Sequence, residues 1–440
     1  MTIKTIVPDL FNFIEQSPTP FHATSIMREK LLAHDFNELS EGEIWSLEQG
    51  KKYFVSRNGS IIAFSLGLST SLSSGFRIIA AHTDSPCLQL KPRSRENQSP
   101  YLIVGVEKYG GAILHTWFDR ELSLAGRVSC VSSTGDSRCL LVDFKRPVAF
   151  IPSLAMHLDR SVNEGLSVNV QNDLSPILAQ SLDGRPLVIL SMLSEQIAFE
   201  YPALQEASII GYDLFCYDPA KPAAIGFQNE FIAAPRLDNL LSCHIGLEAL
   251  YRSGDHVNGM LIYTNHEEIG STSNSGALGS FPDVIISRIL GGTEEKAICL
   301  HHSFLLSLDN AHASHPNYPD KTDGDHQILL NHGPVIKINA SQRYTSNAQS
   351  SSLFRILASE TGVQTQDFVM RSDMTCGSTI GPISSAQLGI QAVDVGVPTL
   401  AMHSVREVTG AADPDLMYQV IIHYFNRQML PHFKEIQHGE

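Results

Sequence analysis

Residues 260–270 read MLIYTNHEEIG, an apolar run that passes almost directly into two adjacent carboxylates, Glu267 and Glu268. A short apolar run of this kind predicts a buried strand, with the two acids at its end. Neighbouring side chains of an extended backbone point in opposite directions. One carboxylate can therefore hold a metal while the other reaches a water on that metal, which suits metal-assisted hydrolysis. Taken alone, the pair is more simply interpreted as two solvated acids on a loop.

The same pattern recurs at four other places in the chain. An apolar run leads to a residue that can bind metal at residues 78–81, 231–234, 304–308 and 399–402, and the four residues are His82, Asp238, Asp309 and His403. Ligands gather beyond the carboxyl ends of strands in open α/β sheets, so these side chains can converge. Each has an ordinary alternative: a packed core histidine, a helix N-cap for Asp238, or a turn for Asp309. Their coincidence favours a metal site.

The order of apolar patterns predicts two kinds of domain. Helical periodicity at residues 7–15 and 22–32 precedes strand-like runs at 60–66 and 76–81. Between about residues 92 and 222, short strand-like pieces alternate with Gly and Ser turns, and after residue 231 strands alternate with helices again. We therefore predict an α/β catalytic domain, formed by residues 1–91 and 231–440, with a mostly parallel sheet and helices on both faces. Residues 92–230 are predicted to form an inserted β-rich domain.

The composition of the chain argues against some binding partners and some cellular compartments. The chain has 440 residues, 43% of them hydrophobic, and a formal net charge of −15. That charge, without any Lys/Arg-rich block, argues against nucleic-acid binding. Seven cysteines without CxxC spacing indicate neither a disulfide framework nor a thiolate zinc site, which fits a reducing cytoplasm. No run of about 18 apolar residues is present, so no membrane span is expected.

Six motifs together resemble a known family. They are SPTPFHA at residues 17–23, HTDSP at 82–86, PRLDN at 235–239, NHEEIG at 265–270, DNAHASHPNY at 309–318 and MHSVRE at 402–407. On these motifs the chain resembles the M18 metallopeptidases, also called aspartyl aminopeptidases, over essentially its whole length. A further stretch at residues 371–379 is also family-like, but no chemistry is assigned to it.

The resemblance implies a site for two Zn²⁺ ions in each subunit. Asp238 would bridge the two metals, His82 and Asp309 would complete one site, and Glu268 and His403 would complete the other. Mn²⁺ or Co²⁺ can substitute in carboxylate-rich sites.

The resemblance also implies an activity. Glu267 would be the general base that accepts a proton from a zinc-activated water, and Asp84 would orient His82. The enzyme would hydrolyse the N-terminal residue of peptides, with a preference for Asp or Glu. Two alternatives remain open: a related zinc amidase or deacylase acting on N-acyl amino acids, and a non-catalytic assembly protein that keeps the fold.

Four further residues are implied to meet the substrate. His312, Lys337 and Tyr344 match family positions that contact it, although on local grounds Lys337 is a surface lysine and Tyr344 a core-edge aromatic. His157, in the inserted domain, would reach the active site of a neighbouring subunit in a homo-oligomer, a tetrahedral dodecamer. The inserted domain would thus serve oligomerisation and substrate gating. A surface histidine, or a third-metal ligand, is the alternative for His157.

Overall fold

The computed structural model describes residues 5–68, 70–93, 100–183, 185, 187–204 and 206–433. Its largest element is a nine-stranded sheet, whose strands in spatial order are β1 (Phe36–Glu38), β2 (Lys52–Arg57), β3 (Ser60–Ser65), β14 (Gly259–Thr264), β4 (Arg77–His82), β15 (Phe304–Leu308), β19 (Gln391–Gly396), β17 (Val335–Ile338) and β18 (Gln366–Val369). Five of its eight strand pairings are parallel and three are antiparallel. The sheet is therefore mixed but mostly parallel, and the predicted α/β class is confirmed.

Helices cover both faces of this sheet. Within the described residues they are α1 (Val7–Gln16), α2 (Pro20–Ala33), α3 (Ile189–Glu200), α4 (Leu237–Arg252), α5 (Phe281–Leu290), α6 (Thr293–His301), α7 (Ala348–Glu360), α8 (Ile380–Leu388) and α9 (Asp413–Asn426). On β4, Ile79 and Ala81 join the core under α1, α2, α4, α7 and α9. Ile78 and Ala80 join the opposite core under α5, α6 and α8. Because side chains alternate between two apolar layers, the strand has a continuous apolar sequence. No helix in the described part of the chain is long and apolar enough to cross a membrane.

The motif at residues 17–20 starts a helix. Thr19 is the N-cap of α2, and its side chain accepts a hydrogen bond from the backbone N–H of His22. Pro20 occupies the first helical position, where its missing N–H has no partner to lose. The Ser-Pro-Thr-Pro sequence therefore ends α1 and begins α2 in a short turn.

The inserted domain is built on a separate antiparallel sheet. Its five strands in spatial order are β7 (Val106–Tyr109), β5 (Cys87–Leu90), β11 (Ser208–Tyr217), β8 (Ser123–Val131) and β9 (Ser137–Asp143). A two-stranded sheet pairs β10 (Ile177–Gln180) with β6 (Tyr101–Ile103). Helix α3 packs Leu193 and Ile197 into the core of this domain. The five-stranded sheet thus spans residues 87 to 217; it begins five residues before the predicted limit of 92 and ends 13 residues before that of 230.

Besides the two-stranded sheet, a third sheet joins segments that are distant in the chain. Its five strands are β12 (Ala223–Ile225), β13 (Phe231–Ala234), β21 (Glu407–Gly410), β20 (Pro398–Leu400) and β16 (Ala311–His312). Strands β13 and β21 are antiparallel, with Ala234 opposite Glu407. The runs at residues 231–234 and 399–402 therefore belong to this smaller sheet and not to the nine-stranded one. The pairing brings the segments before and after it, 235–239 and 402–406, side by side.

Candidate metal centre

Three neighbouring parallel strands deliver acids and a histidine to one edge of the nine-stranded sheet. Strand β4 lies between β14 and β15 and is parallel to both. It ends at His82, while Asp309 follows β15 and a short 3₁₀ turn, Glu267–Ile269, follows β14. Because the carboxyl ends of parallel strands share an edge, these side chains meet as the strand-end pattern predicted.

The third sheet supplies the remaining two candidates, Asp238 and His403. Asp238 lies in the first turn of α4 but has non-helical backbone angles, and Arg236 is the N-cap, without a side-chain hydrogen bond. The non-helical angles at Asp238 and Asn239 place a kink at the start of α4, and the N-cap alternative for Asp238 stays open. His403 follows β20 in a left-handed conformation with φ of 68°. Neither residue has regular helix or strand geometry. Their side chains approach the ligands at the edge formed by β4, β14 and β15.

One group of three ligand atoms surrounds His82. Its Nε2 lies 3.3 Å from Asp238 Oδ1 and 3.6 Å from Asp309 Oδ1. All three residues are buried, and their ligand atoms lie within 4.8 Å of one another. The other ring nitrogen, Nδ1, lies 3.0 Å from the backbone oxygen of Asp84, a carbonyl to which it can donate. That bond leaves Nε2 free to bind a metal.

A second group surrounds His403 and shares Asp238. Nε2 of His403 lies 3.4 Å from Asp238 Oδ2 and 3.4 Å from Glu268 Oε1. Its Nδ1 lies 3.3 Å from the carbonyl oxygen of Gly111, in the inserted domain. The two carboxylate oxygens of Asp238 thus face different histidines. This is the arrangement required of a carboxylate that bridges two cations.

These separations fit bound zinc. In a tetrahedral zinc site with metal–ligand distances of about 2.1 Å, two ligand atoms lie about 3.4 Å apart. The four distances from His82 and His403 to the carboxylates are 3.3 to 3.6 Å. Asp238 Oδ1 is buried and makes no hydrogen bond within the described structure. A buried, unpaired carboxylate oxygen is costly unless a cation neutralises it, so the residues fit a metal.

The charges in the metal-free protein show the same need for cations. Burial disfavours a charged imidazole, yet the pKa of His82 is raised well above its usual value because Asp238, Asp309 and Asp84 surround it. The pKa of His403 is raised to about 10, again against burial, by Asp238 and Glu268. Burial raises the pKa of Glu267 to about 8, and neighbouring acids add to the effect. Protons on these groups offset an excess of negative charge that metal ions would offset more fully.

Asp84 has a larger role in the geometry than orienting His82. Its carboxylate oxygen Oδ1 is 3.6 Å from His82 Nδ1, beyond hydrogen-bond distance. Instead, its two oxygens accept the backbone N–H groups of Glu267 and Glu268, each at 3.1 Å. Tyr109 of the inserted domain donates its hydroxyl to the same carboxylate at 2.8 Å. Asp84 therefore holds the turn that carries both glutamates, and sequence reasoning assigned it only to the histidine.

A cavity of about 270 Å³ opens over the two groups. Nine predicted site residues line it: His82, Asp238, Glu267, Glu268, Asp309, His312, Lys337, Tyr344 and His403. Sequence reasoning missed six other lining residues: Asn310, Ala311, Gly377, Ser378, Thr379 and Met402. The signal for Gly377, Ser378 and Thr379 was present, since the stretch at 371–379 stood out but received no chemistry. That loop lines the same cavity as the acids.

Lys337 lines the same cavity and is buried rather than at the protein surface. It is 3% exposed, so the surface interpretation is wrong. Its ammonium lies 3.3 Å from Asp309 Oδ2, donates to the Asn310 carbonyl at 3.0 Å and lies 5.3 Å from the centre of the Tyr344 ring. Burial and the nearby Lys337 lower the pKa of His312, which favours the neutral imidazole. The cavity therefore places the Lys337 ammonium, and an imidazole of His312 that favours its neutral form, next to the acids.

His157 is not brought to the cavity within one chain. It is exposed and does not line the cavity. Its neighbours Met156 and Leu158 are exposed by 48% and 73%. Within one chain His157 therefore lies outside the described cavity, and its contact with substrate stays a prediction.

Another ligand-like group, Asp9, His244 and Glu248, lies apart from this edge. The ammonium of Lys30 lies 2.6 Å from Asp9 and 3.4 Å from Glu248. A lysine cation thus already occupies the place that a metal would take. We interpret the group as a buried ion-pair network between α1, α2 and α4.

Comparison with known proteins identifies the family. A family model described as aminopeptidase I zinc metalloprotease (M18) matches residues 13–425. The chain belongs to the M18 aminopeptidase family. It is a metalloaminopeptidase, a hydrolase of peptide bonds. A probable M18 family aminopeptidase 2 of Ectopseudomonas mendocina (strain ymp) is 46% identical over 429 residues, which cover 97% of this M18 aminopeptidase and all of that protein.

Solved structures share the fold of this M18 aminopeptidase. A chain in a cryo-EM structure of the Ape4 and Nbr1 complex has a TM-score of 0.90 and 39% identity, covering 95% of this chain and 84% of that one. A chain of the mApe1 dodecamer of S. cerevisiae has a TM-score of 0.81 and 26% identity, covering 96% and 97%. Both structures therefore match nearly the whole length of the chain.

Proposed function

We propose that this M18 aminopeptidase is a dinuclear zinc enzyme that removes N-terminal Asp or Glu from peptides. One observation carries the dinuclear part: the two oxygens of Asp238 face His82 and His403 at 3.3 and 3.4 Å. Asp309 completes the first set of ligands and Glu268 the second. Each set combines one imidazole with two carboxylates, a donor set that suits zinc and that also admits Mn²⁺ or Co²⁺.

The residues around the proposed metals have different roles in the hydrolysis. Bound zinc supplies a Lewis acid that lowers the pKa of water towards about 7. Glu267 belongs to neither ligand set that shares Asp238, but its carboxylate lies within 4.8 Å of ligand atoms of His82 and Glu268. It is placed to accept a proton from the attacking water and to return it to the leaving amine. Asp84 keeps Glu267 in that place through the backbone.

The proposed preference for acidic residues rests on Lys337. Its ammonium lines the described cavity, and its partial pairing with Asp309 leaves it next to the open space. A substrate carboxylate that reaches Lys337 would gain a charge-assisted hydrogen bond. Tyr344 supports the ammonium through its ring, and its hydroxyl and His312 add polar groups nearby.

We expect Lys337→Met to remove the preference for acidic residues. On a panel of Asp-, Glu-, Asn-, Leu- and Ala-aminoacyl substrates, kcat/KM of the variant should fall about 10- to 100-fold for Asp and Glu, the loss expected for a hydrogen bond between charged groups. The values for neutral residues should change little. Tyr344→Phe, which keeps the ring beneath Lys337, is the matched control.

Two results of the same panel would count against the proposal. A wild-type preference for neutral residues would defeat the acidic specificity, and hydrolysis of N-acetylated peptides as fast as free-amine peptides would favour a deacylase. Metal content is measured alongside, because Lys337 also contacts Asp309.

We further propose a homo-oligomer, a tetrahedral dodecamer, in which the inserted domain brings His157 to a neighbouring active site. Support comes from the exposed apolar side chains around His157, which a monomer would leave in water: Leu154, Met156 and Leu158. Support also comes from a structural relative that is described as a dodecamer.

Native mass measurement tests the assembly. We expect wild type at about twelve times the 48.3 kDa of one chain. Leu158→Glu should lower the mass, because a buried charge at an apolar interface is costly. His157→Ala should keep the mass but lower kcat/KM. A monomeric wild type would overturn the proposed assembly.

We also propose a cytoplasmic location. All seven cysteines are unpaired, as is usual in a reducing compartment. Fractionation of the source cells checks this, and recovery of the enzyme outside the cytoplasm would contradict it.

A further inference from the structure

Glu407 is a buried carboxylate that contacts two proposed metal ligands without facing a metal itself. It is the first residue of β21 and is 1% exposed. Its Oε2 accepts the backbone N–H of Asp238 at 2.9 Å, and its Oε1 accepts the backbone N–H of His403 at 2.8 Å. The two residues are 165 positions apart in the chain, and this one side chain links their backbones.

Neither backbone N–H has an obvious substitute partner. Asp238 lies where α4 departs from helical geometry, and His403 lies outside the strands of its sheet. A buried N–H without an acceptor costs about 1–3 kcal/mol. His403 also has a φ of 68°, a left-handed conformation that a residue with a side chain keeps only when its surroundings hold it. Glu407 supplies that support at the nitrogen of His403.

The inserted domain restrains the same histidine from the other side. Its ring Nδ1 lies 3.3 Å from the carbonyl oxygen of Gly111, and a Cβ at Gly111 would approach Nδ1 to 3.0 Å. That contact orients the ring, and the position of its Nε2 also depends on where the backbone is held. Glu407 sets that backbone position relative to Asp238.

We propose that Glu407 is a positioning residue that fixes the distance between Asp238 and His403 and thereby sets the affinity of the second metal site, formed by Asp238, Glu268 and His403. The inference rests on the proposed dinuclear centre. The first site should depend on Glu407 less, because His82 and Asp309 are held by other contacts: His82 by the Asp84 carbonyl, and Asp309 through its backbone N–H to Val395.

The Glu407→Gln variant tests the two hydrogen bonds of Glu407 while the size of the side chain stays nearly the same. Glutamine has nearly the same shape but a single acceptor oxygen, so one of the two N–H groups would face its NH₂ group. We expect the second zinc to bind about 10- to 100-fold more weakly, the usual effect of losing a residue that supports a metal ligand. The first zinc should keep its affinity within about threefold. Competition with a chelator, read as two successive dissociation constants, measures both.

Asp413→Asn is the matched control. Asp413 is also 1% exposed and accepts two backbone N–H groups, those of Asn331 at 2.6 Å and Gly333 at 2.9 Å. It makes no contact with the proposed ligands. Both variants should therefore lower Tm, whereas only Glu407→Gln should weaken the second zinc. Equal loss of zinc in the two variants would overturn the proposal.

The folding of the variants and the zinc content of the wild type also test the proposed role of Glu407. If Glu407→Gln does not fold, Glu407→Asp keeps the charge but reaches at most one N–H, and the same two constants are measured on it. Failure of both variants to fold, while Asp413→Asn folds, would show that Glu407 serves folding and would overturn the positioning role. Wild type that binds only one zinc would refute the dinuclear centre itself. Two zincs in wild type with unchanged constants in the variant would refute only the role of Glu407.

Discussion

Replacing Glu267 with glutamine should lower kcat by about 10²- to 10⁴-fold while the protein keeps its full metal content. Glutamine has the shape of glutamate but cannot accept a proton at neutral pH. The backbone of residue 267 stays fixed, since its N–H is held by Asp84 at 3.1 Å, so the turn should not move. Steady-state kinetics with an acidic aminoacyl substrate, together with elemental analysis of zinc, measure both effects.

Glu268→Gln is the control for this experiment. Glu268 lies next in the chain and its backbone N–H is held by the same carboxylate, but its side chain faces His403 at 3.4 Å. We expect this variant to lose zinc from the second site, whereas Glu267→Gln should not. Turnover of Glu267→Gln within about tenfold of wild type would remove Glu267 from the base role. Loss of metal in Glu267→Gln would make it a ligand instead.

Asp238→Asn should weaken both metals and abolish turnover. The two oxygens of Asp238 face different histidines, and asparagine offers one neutral oxygen in place of two that share a negative charge. We expect at most one weakly held zinc in each subunit and a fall in kcat of at least about 10³-fold, because an unfilled site loses its Lewis acid. Zinc titration and kinetics at saturating zinc measure the effect.

Asp309→Asn distinguishes a bridging ligand from an ordinary one. Asp309 faces His82 at 3.6 Å and belongs to one ligand set that includes Asp238. Its replacement should weaken one zinc and leave the other near its wild-type affinity. If Asp238→Asn also weakens only one zinc, Asp238 does not bridge and the dinuclear geometry is wrong.

Much of the fold could be predicted because periodicity is a local property. Strand β4 is buried on both faces, so its residues 78–81 are all apolar, and the end of that run marks the end of the strand within a residue. Helix α2 begins at a Thr-Pro pair that any helix start could use. The division of the strands between sheets was not predictable in this way. Strand β13 is as apolar as the centre of β4, yet it pairs, like β20, in a smaller sheet because of partners that lie far away in the sequence.

Some features of the candidate site could likewise be predicted from the sequence, and others could not. Residues with metal-binding side chains at strand ends stand out in the sequence, and the structure gathers His82, Asp238, Glu268, Asp309 and His403 at one edge. Tyr109 had no such signal, because a tyrosine in a β-rich stretch is ordinary until it is found to donate to Asp84. The backbone-binding role of Asp84 was equally hidden, since it depends on where the turn after β14 lies.

The sequence by itself determined which side chains can bind metal, where the first two helices and several strands lie, and the family of the enzyme. Only the tertiary structure decided that the oxygens of Asp238 face two histidines, that Lys337 is buried in the cavity wall and that Glu407 links two ligand backbones. The physical reason is the distance along the chain between the residues that interact. Apolar periodicity and side-chain chemistry are properties of neighbouring residues, whereas a hydrogen bond across 165 residues depends on how sheets and loops pack together.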